Sequence, residues 1–434
     1  MQAVILAGES GGRPASGGDP IRPERVDICG EPLLGRQLRL LARGGVAHVV
    51  LLAGPGDDHI VDLVGDGARW GLHAVALRHP AGQGATDALI ASLDALEARF
   101  FVFFGDMLFD LDLRAMWAAH RRAAPAATVV VRPTDQPQTS ELVELDLDGQ
   151  VRAFHPRPHS QGLEIANLAR QRLCLVEKSA LAALPSLQAT PVAGGDFLHA
   201  LLASGARLLG YRSAEYIQDA ATPEQVRTLR RDVANGRVER MSRRTPSAAV
   251  FMDRDGVLNV ERSYISAPEQ LVLIPGAGEA VRRLNASDYR SVVVTNQSVL
   301  ARGECDEEGL ARIHARLDRL LGRRGAFVDR LYYCPHHPDP GLPGGRSDLT
   351  LACDCRKPAP GLVLRARDEL NLDLARSWMI GDSTSDIALA QRLGMTSILV
   401  RTGHAGADGK CRVQPDFILD DLAEAVNFIL RNAS

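Results

Sequence analysis

The chain contains an apolar run that stops at two carboxylates one residue apart. Residues 250–259 read VFMDRDGVLN, so the run ends at Asp253 and Asp255. Because side chains alternate along a strand, a strand ending here would direct both carboxylates into the crevice where open α/β sheets bind ligands. Gly256 permits a sharp backbone turn. Since two aligned carboxylates repel each other unless a cation lies between them, this feature predicts an α/β sheet with a hard divalent metal, Mg²⁺, at its edge.

Three further segments follow in a defined order. Residues 291–298 (SVVVTNQS) predict a second strand that ends in hydroxyl and amide groups, which suit phosphate oxygens. Residues 356–358 (RKP) place cations before a helix start, and residues 377–386 (SWMIGDSTSD) predict a third strand that ends in carboxylates. This order, DxDGV, TN, RKP and GDxxxD, resembles the haloacid dehalogenase-like (HAD) phosphohydrolases over about residues 247–430.

The resemblance implies a catalytic role for each matching residue. Asp253 would be the nucleophile, and Asp255 the general acid and base. Thr295 and Lys357 would bind the phosphoryl group, while Asp382 would complete the Mg²⁺ site with Asp253 and the backbone carbonyl of Asp255. The chemistry asks for the same residue types, because a carboxylate that attacks a phosphate dianion meets like charge, which Mg²⁺ and a lysine offset.

Asp386 lies four residues after Asp382 in the same segment. We expect it to orient Lys357 or a metal-bound water. The alternative is a helix N-terminal carboxylate favoured by the helix dipole.

Two short cysteine-containing segments predict a second metal site. Cys334 and His336 are two residues apart, as are Cys353 and Cys355. Three thiols and one imidazole at this spacing fit a closed tetrahedral Zn²⁺ site, which would be structural. His337 is the rival ligand to His336, and the alternative is a loop with unpaired buried cysteines.

The zinc-containing HAD enzymes include two phosphatases that this chain resembles, heptose 1,7-bisphosphate 7-phosphatase and histidinol-phosphate phosphatase. The TNQSVLARG run at 295–303 and the long segment 338–352, rich in Gly and Pro, favour the heptose enzyme. Arg302 could contact the second phosphate or pair with the acids of 304–308. The predicted substrate-binding residues are Thr295, Asn296, Ser298, Arg302, Arg356 and Lys357.

The N-terminal half carries a separate set of motifs. A buried-strand pattern at 1–8 leads into a glycine-rich loop that could wrap phosphates. GQGATDAL at 82–89, FFVFFGD at 100–106 and YIQDAATPE at 216–224 follow. Together they resemble the sugar-1-phosphate nucleotidyltransferases over about residues 1–235. The resemblance implies nucleotide binding by Gly8, Gly11, Arg13 and Gly84, and Mg²⁺ binding by Asp106 and Asp219.

The two resemblances suggest consecutive reactions. A 7-phosphatase would leave heptose 1-phosphate, and a nucleotidyltransferase would activate such a sugar with an NTP. The first loop departs from that family at Glu9 and Gly12, where Gly and Thr are usual. The alternative is therefore a histidinol-phosphate or other sugar-phosphate phosphatase that carries a non-catalytic sugar-nucleotide-binding module.

The length of the chain and one polar segment bear on its domain organisation. At 434 residues the chain is long for one domain. The basic segment 235–247, with Gly and Pro, predicts a linker, and we expect two doubly wound α/β domains, a Rossmann-type sheet at 1–240 and a HAD-like sheet at 247–434.

Net charge, apolar runs and cysteine count bear on the partners and the location of the protein. A net charge of −3 gives no basic footprint for nucleic acid. No apolar run reaches the roughly 18 residues of a membrane span and no signal peptide is apparent, so we expect a cytoplasmic protein without membrane partners. Seven cysteines, an odd number, argue against a secreted disulfide framework. The expected partners are sugar phosphates and an NTP.

Overall fold

The structure is a computed structural model that describes residues 1–7, 23–80, 84–159, 165–184, 196–339 and 344–432. Its internal contacts divide the chain into two units. The first unit comprises Met1–Arg132, Leu145–Phe154 and Arg170–Arg244, and the second comprises Pro133–Glu144, His155–Ala169 and Thr245–Ser434.

The first unit is built on a largely parallel sheet whose central strands are apolar on both faces. The strands in this part of the chain are β1 (Gln2–Leu6), β2 (His48–Ala53), β3 (His73–Arg78), β4 (Arg99–Phe104), β5 (Met107–Asp110), β6 (Ala127–Pro133), β7 (Leu142–Leu145), β8 (Val151–His155), β9 (Leu168–Glu177), β10 (Leu208–Arg212) and β11 (Tyr216–Asp219). All five residues of β1 are buried, as expected for a strand covered by helices on both sides.

The strand order in this sheet is β10-β6-β9-β4-β1-β2-β3, with β7 and β8 off this path. β1 runs parallel to β2 and β4, whereas β9 runs antiparallel to β4. β5 and β11 form a separate antiparallel ribbon.

This part of the chain also contains helices. They are α1 (Leu33–Arg43), α2 (Asp58–Val64), α3 (Ala85–Ala91), α4 (Leu113–Ala123), α5 (Lys178–Ala182), α6 (Phe197–Ala203), α7 (Pro223–Ala234) and α8 (Arg237–Arg240). α7 begins at Pro223, where Thr222 and Gln225 form a capping box with Pro at the first helical position. α8 lies within the predicted linker, and its Val238 is buried in a small apolar cluster with Leu229.

The second unit has a fully parallel sheet in the order β14-β13-β12-β15-β16-β17. These strands are β12 (Ala249–Met252), β13 (Arg290–Asn296), β14 (Arg330–Cys334), β15 (Trp378–Gly381), β16 (Thr396–Val400) and β17 (Phe417–Leu419). The order turns back at β12, which pairs with β13 on one side and β15 on the other. Such a switch point opens a crevice at the carboxyl ends of the strands.

The helices of the second unit are α9 (Ala277–Asn285), α10 (Glu307–Gly322), α11 (Gly361–Leu370), α12 (Thr384–Leu393) and α13 (Leu422–Arg431). The core lies between sheet and helices, where Val250, Val293, Ile380 and Ile398 are fully buried. The expected α/β class is confirmed. Within the described residues, no helix is both long and apolar enough for a membrane span.

The second unit also draws on residues far from its main segment. Asn167 donates a hydrogen bond from Nδ2 to the carbonyl of Asp318 on α10, at 2.5 Å. Pro137 also packs against α10, because a Cβ added at Gly322 would come 2.9 Å from its Cγ. The contacts place the change of unit between Arg244 and Thr245. The sequence pattern, which suggested a boundary near 240, gave no sign of the segments 133–144 and 155–169.

Candidate active site

The two carboxylates of the DxD motif follow β12 directly. The backbone N–H of Asp253 donates to the carbonyl of Ile380 at 3.0 Å, which extends the pairing with β15 by one residue. Arg254 lies between the two acids with its side chain fully buried. Gly256 follows in the left-handed region with φ +77°, a conformation that glycine adopts at little cost. The strand end therefore delivers both carboxylates to the switch point.

Asp255 is held by three side chains. Arg254 donates from Nη2 to both carboxylate oxygens at 2.9 and 2.8 Å. Asn259 and Gln297 donate through their amides at 2.9 and 2.8 Å. Burial by itself would raise the pKa of Asp255, but Arg254 and these hydrogen bonds outweigh it and lower the pKa below its usual value. Asp255 is therefore a fixed carboxylate in the ligand-free protein.

Lys357 connects two acids in the interior of the site. Its Nζ lies 2.8 Å from Oδ1 of Asp253 and 2.7 Å from Oδ1 of Asp386. Burial acts to lower the pKa of Lys357, but the two carboxylates raise it above its ordinary value. Asn296 accepts from the backbone N–H of Lys357 at 3.0 Å and donates to its carbonyl at 3.2 Å. Asn296 thus fixes the main chain that carries the cation.

Asp382 follows β15 and is 1% exposed. Its Oδ2 accepts from the backbone N–H of His404 at 2.7 Å, and its carbonyl accepts from that of Gly406 at 2.8 Å. Burial and the neighbouring Asp253 carboxylate raise the pKa of Asp382 to about 8. The carboxylates of Asp253, Asp382 and Asp386 place oxygens within 4.8 Å of one another, close enough to share one cation.

The remaining predicted substrate residues lie at the carboxyl end of β13 and on the segments that follow β13 and β14. Thr295 is buried, and its hydroxyl accepts from Gln297 Nε2 at 2.8 Å. Ser298 is buried in the turn that follows. The guanidinium of Arg302 lies 4.2 Å from the centre of the Tyr264 ring, a cation–π contact. That contact differs from the pairing with residues 304–308 that we considered as the alternative.

The four predicted zinc ligands form one cluster, and each offers an atom within 4.8 Å of the others. Cys355 Sγ lies 3.2 Å from Cys334 Sγ and 3.3 Å from both Cys353 Sγ and His336 Nδ1. The edges of a tetrahedron around zinc, with bonds of about 2.3 Å to sulfur and about 2.0 Å to nitrogen, are about 3.5–3.8 Å. The donor set and spacing therefore fit a tetrahedral metal. His337, the rival, accepts instead from the backbone N–H of Asp339.

The cluster adjoins Lys357 in the sequence. Arg356, between Cys355 and Lys357, donates from Nη1 to the carbonyl of His336 at 2.8 Å. The segment that supplies Lys357 is therefore tied to both halves of the cluster.

The predicted sites of the first unit are described only in part. Gly8, Gly11 and Arg13 lie outside the described residues. Gly84 precedes α3 and is exposed. Asp106 and Asp219 are brought together by the β5–β11 ribbon, in which Ala220 N–H donates to the carbonyl of Asp106 at 2.7 Å. Arg172 on β9 lies 2.6 Å from Asp106 through Nη1 and Oδ2.

Sequence reasoning missed several residues of this site. Arg254, Asn259 and Gln297, which fix Asp255, all lie inside motifs that we had noted, so their positions carried the signal. The loop at 401–408 was not singled out. Its sequence RTGHAGAD follows an apolar strand next to β15, and that position at a parallel strand's carboxyl end was the available signal. Glu261 and His404 also lie with Asp382 in a group of possible metal ligands.

Both halves of the chain match known families. Residues 2–209 match the family model described as nucleotidyl transferase, and residues 354–425 match one described as HAD-hydrolase-like. The D-glycero-beta-D-manno-heptose-1,7-bisphosphate 7-phosphatase of Yersinia pestis is 41% identical over 179 residues, which are 41% of this chain and 92% of that protein.

Two solved structures resemble one half each. The D,D-heptose 1.7-bisphosphate phosphatase from B. bronchiseptica, complexed with magnesium and phosphate, is 34% identical and covers 43% of this chain and 99% of its own, with a TM-score of 0.38. HddC from Yersinia pseudotuberculosis, complexed with GMP-PN, is 18% identical and covers 54% of this chain and 99% of its own, with a TM-score of 0.44.

The Yersinia pestis phosphatase aligns over nearly its whole length at this level of identity, which favours the heptose interpretation over the histidinol-phosphate alternative. The nucleotidyl transferase match accounts for the additional N-terminal residues. Through its C-terminal half, the chain belongs to the family of D-glycero-beta-D-manno-heptose-1,7-bisphosphate 7-phosphatases.

Proposed function

We propose that the second unit removes the 7-phosphate of D-glycero-D-manno-heptose 1,7-bisphosphate through an aspartyl-phosphate on Asp253. The observation that carries the proposal is the buried Lys357, which pairs with both Asp253 and the buried Asp386, with Asp255 fixed on the other side of Arg254. A carboxylate held by a buried lysine, with a second carboxylate one residue away, provides a nucleophile and a proton carrier at one strand end.

The reaction has two steps. In the first, Asp253 attacks phosphorus, the bond from phosphorus to the sugar oxygen breaks, and Asp255 gives a proton to the leaving oxygen. Because Asp255 is a carboxylate in the ligand-free protein, it must gain that proton when the phosphate dianion binds. In the second step, Asp255 takes a proton from water, which attacks the aspartyl-phosphate and releases inorganic phosphate.

Asp253, Asp382 and the backbone carbonyl of Asp255 would hold Mg²⁺. The fit rests on the donor chemistry, because three carboxylates within 4.8 Å are accompanied by one lysine, which leaves an excess of negative charge on oxygen ligands. When bound, Mg²⁺ supplies positive charge that offsets the repulsion between Asp253 and the phosphate. Asn296 and Asp386 keep Lys357 in position for the same purpose.

We propose Zn²⁺ as the ion for the cluster of Cys334, His336, Cys353 and Cys355. All four positions around the metal would be filled by protein atoms, so its role would be structural. Through Arg356, which binds the carbonyl of His336, the metal would fix the loop that carries Lys357. Arg302 and Arg356 are the candidate contacts for the second phosphate of the substrate.

The test is phosphate release from a panel of heptose bisphosphates, histidinol phosphate and hexose bisphosphates. We expect the heptose 1,7-bisphosphates to be the best substrates and the reaction to require Mg²⁺. Asp253→Asn should lose nearly all turnover while remaining folded, because it removes the nucleophile with little change in volume. Asp368→Asn, at an exposed ion pair with Arg367, is the control. If Asp253→Asn keeps more than about a tenth of the wild-type kcat, so that its activation barrier rises by less than about 1.4 kcal/mol, Asp253 is not the nucleophile.

The match of residues 2–209 adds a second candidate function, nucleotidyl transfer to the heptose 1-phosphate that the phosphatase would release. The alternative for this unit is binding of a sugar nucleotide or sugar phosphate without catalysis. An assay with heptose 1-phosphate, each NTP and Mg²⁺ distinguishes the two, because only transfer releases pyrophosphate.

A further inference from the structure

The acidic pair of the first unit lies at the β5–β11 ribbon. Asp219 pairs with Met107 across the ribbon, and Ala220 donates to the carbonyl of Asp106, so the two acids occupy adjacent positions. Asp106 is 1% exposed. Burial raises the pKa of Asp219, and the nearby Asp106 carboxylate adds to that effect. A buried carboxylate beside a half-buried one is stabilised by a positive charge close by.

Arg172 on β9 provides that charge. Its Nη1 lies 2.6 Å from Oδ2 of Asp106, and its guanidinium carbon lies 4.0 Å from the centre of the Phe104 ring. The same guanidinium lowers the pKa of Asp219, against the effect of burial. Arg172 is therefore held by an ion pair and a cation–π contact, and its charge acts on both acids.

The two units differ in how much negative charge they leave for a metal. In the second unit, Asp253, Asp382 and Asp386 face Lys357, a formal charge of −2 for the group. In the first unit, the described groups are Asp106, Asp219 and Arg172, which together carry a formal charge of −1; Arg172 pairs with Asp106, and its charge lowers the pKa of Asp219. A divalent cation at Asp106 would also meet the guanidinium at close range and be repelled by it.

We infer that Arg172 takes the place of a divalent cation at Asp106 and Asp219, so that the first unit binds a phosphorylated ligand without metal and does not transfer nucleotidyl groups through this pair. The expectation of Mg²⁺ at these acids is replaced by a permanent ion pair. The Arg172 side chain is 33% exposed, so a ligand can reach it, and a guanidinium suits phosphate oxygens. This inference concerns the second candidate function alone and leaves the phosphatase proposal independent.

The test measures Mn²⁺ binding to the full chain by electron paramagnetic resonance, with and without an NTP. The background carries Asp382→Asn, which removes a ligand of the phosphatase site. The readout is the difference in bound Mn²⁺ between chains with and without Asp106→Asn. With Arg172 present, we expect no difference in either condition. With Arg172→Gln, we expect one additional Mn²⁺ per chain, which Asp106→Asn abolishes.

Arg170→Gln is the matched control, since Arg170 lies on the same strand and pairs with Asp196. It should gain no Mn²⁺. An Asp106-dependent Mn²⁺ site in chains that retain Arg172, with or without the NTP, would overturn the inference, as would pyrophosphate release by the wild-type chain. Failure of Arg172→Gln to gain a site in a folded chain would also count against it. Phosphatase activity of Arg172→Gln in the otherwise wild-type chain should be unchanged, so this result is separable from a failure of the phosphatase proposal.

Discussion

Replacing Gly256 with alanine should damage catalysis more than stability. Gly256 has a φ of +77°, and an added Cβ would lie 2.5 Å from Cγ of Asp382 and closer still to its Oδ2. Asp382 cannot move freely, because its side chain is bound by His404 N–H and its carbonyl by Gly406 N–H. The added methyl group would therefore displace Asp382 against the hydrogen bonds that hold it.

The magnitude follows from two separate terms. A left-handed conformation costs an alanine about 1 kcal/mol relative to glycine. Ordinary contact between Cβ and Cγ begins at 3.4 Å, so relief of the 2.5 Å approach requires a shift of about 1 Å. A misplacement of about 1 Å in an active site can reduce turnover about 100-fold. We expect a loss of that order in kcat, together with a higher Mg²⁺ concentration for half-maximal activity.

Gly394→Ala is the matched control for this experiment. Gly394 ends α12 with a φ of +69°, and no atom lies within 4 Å of its added Cβ. It should lose about the same 1 kcal/mol of stability while keeping its kcat. Thermal unfolding and phosphate release are measured for both variants. If Gly256→Ala keeps kcat within about 5-fold of wild type, or if Gly394→Ala loses as much activity, the close approach to Asp382 is not what requires glycine.

Three other variants extend the reasoning. Cys353→Ser should lose bound zinc and, by loosening the loop that carries Arg356 and Lys357, raise KM and lower kcat together; protein purified without chelator that contains no zinc would contradict the site. Asn296→Ala should lower kcat, since it removes both contacts that fix the main chain of Lys357; unchanged kinetics would refute that role. Burial lowers the pKa of His314 to about 3, against about 6.5 in the unfolded chain, so its contribution to stability is complete above pH 6.5 and is lost as the pH falls. Between pH 7.5 and pH 5.0, the free energy of unfolding measured in urea should therefore fall by up to about 2 kcal/mol less in His314→Leu than in the wild type. Equal decreases in the two proteins would show that His314 does not titrate in this way.

The sequence located the phosphatase site because its motifs are local. Asp253 and Asp382 each directly follow a short apolar strand, and the carboxyl ends of neighbouring parallel strands necessarily meet at one edge of the sheet. Asp253 and Asp382 are brought together in this way, whereas Lys357 reaches Asp253 from the loop between β14 and α11. The cluster formed by the two cysteine segments could also be predicted from the sequence, since ligand type and spacing suffice to predict a tetrahedral site.

Contacts between distant segments could not be read from the sequence. Arg172 is 66 residues from Asp106, and only the pairing of β9 beside β4 brings them together. The same holds for the hydrogen bonds of the 401–408 loop to Asp382 and for the inclusion of 133–144 and 155–169 in the second unit. Alternation along a strand fixes which face a side chain occupies, but strand order and loop path decide which partner it meets there. The sequence therefore determined which residues carry the chemistry, whereas the tertiary structure decided which charges face one another, because electrostatic partners are set by proximity in space.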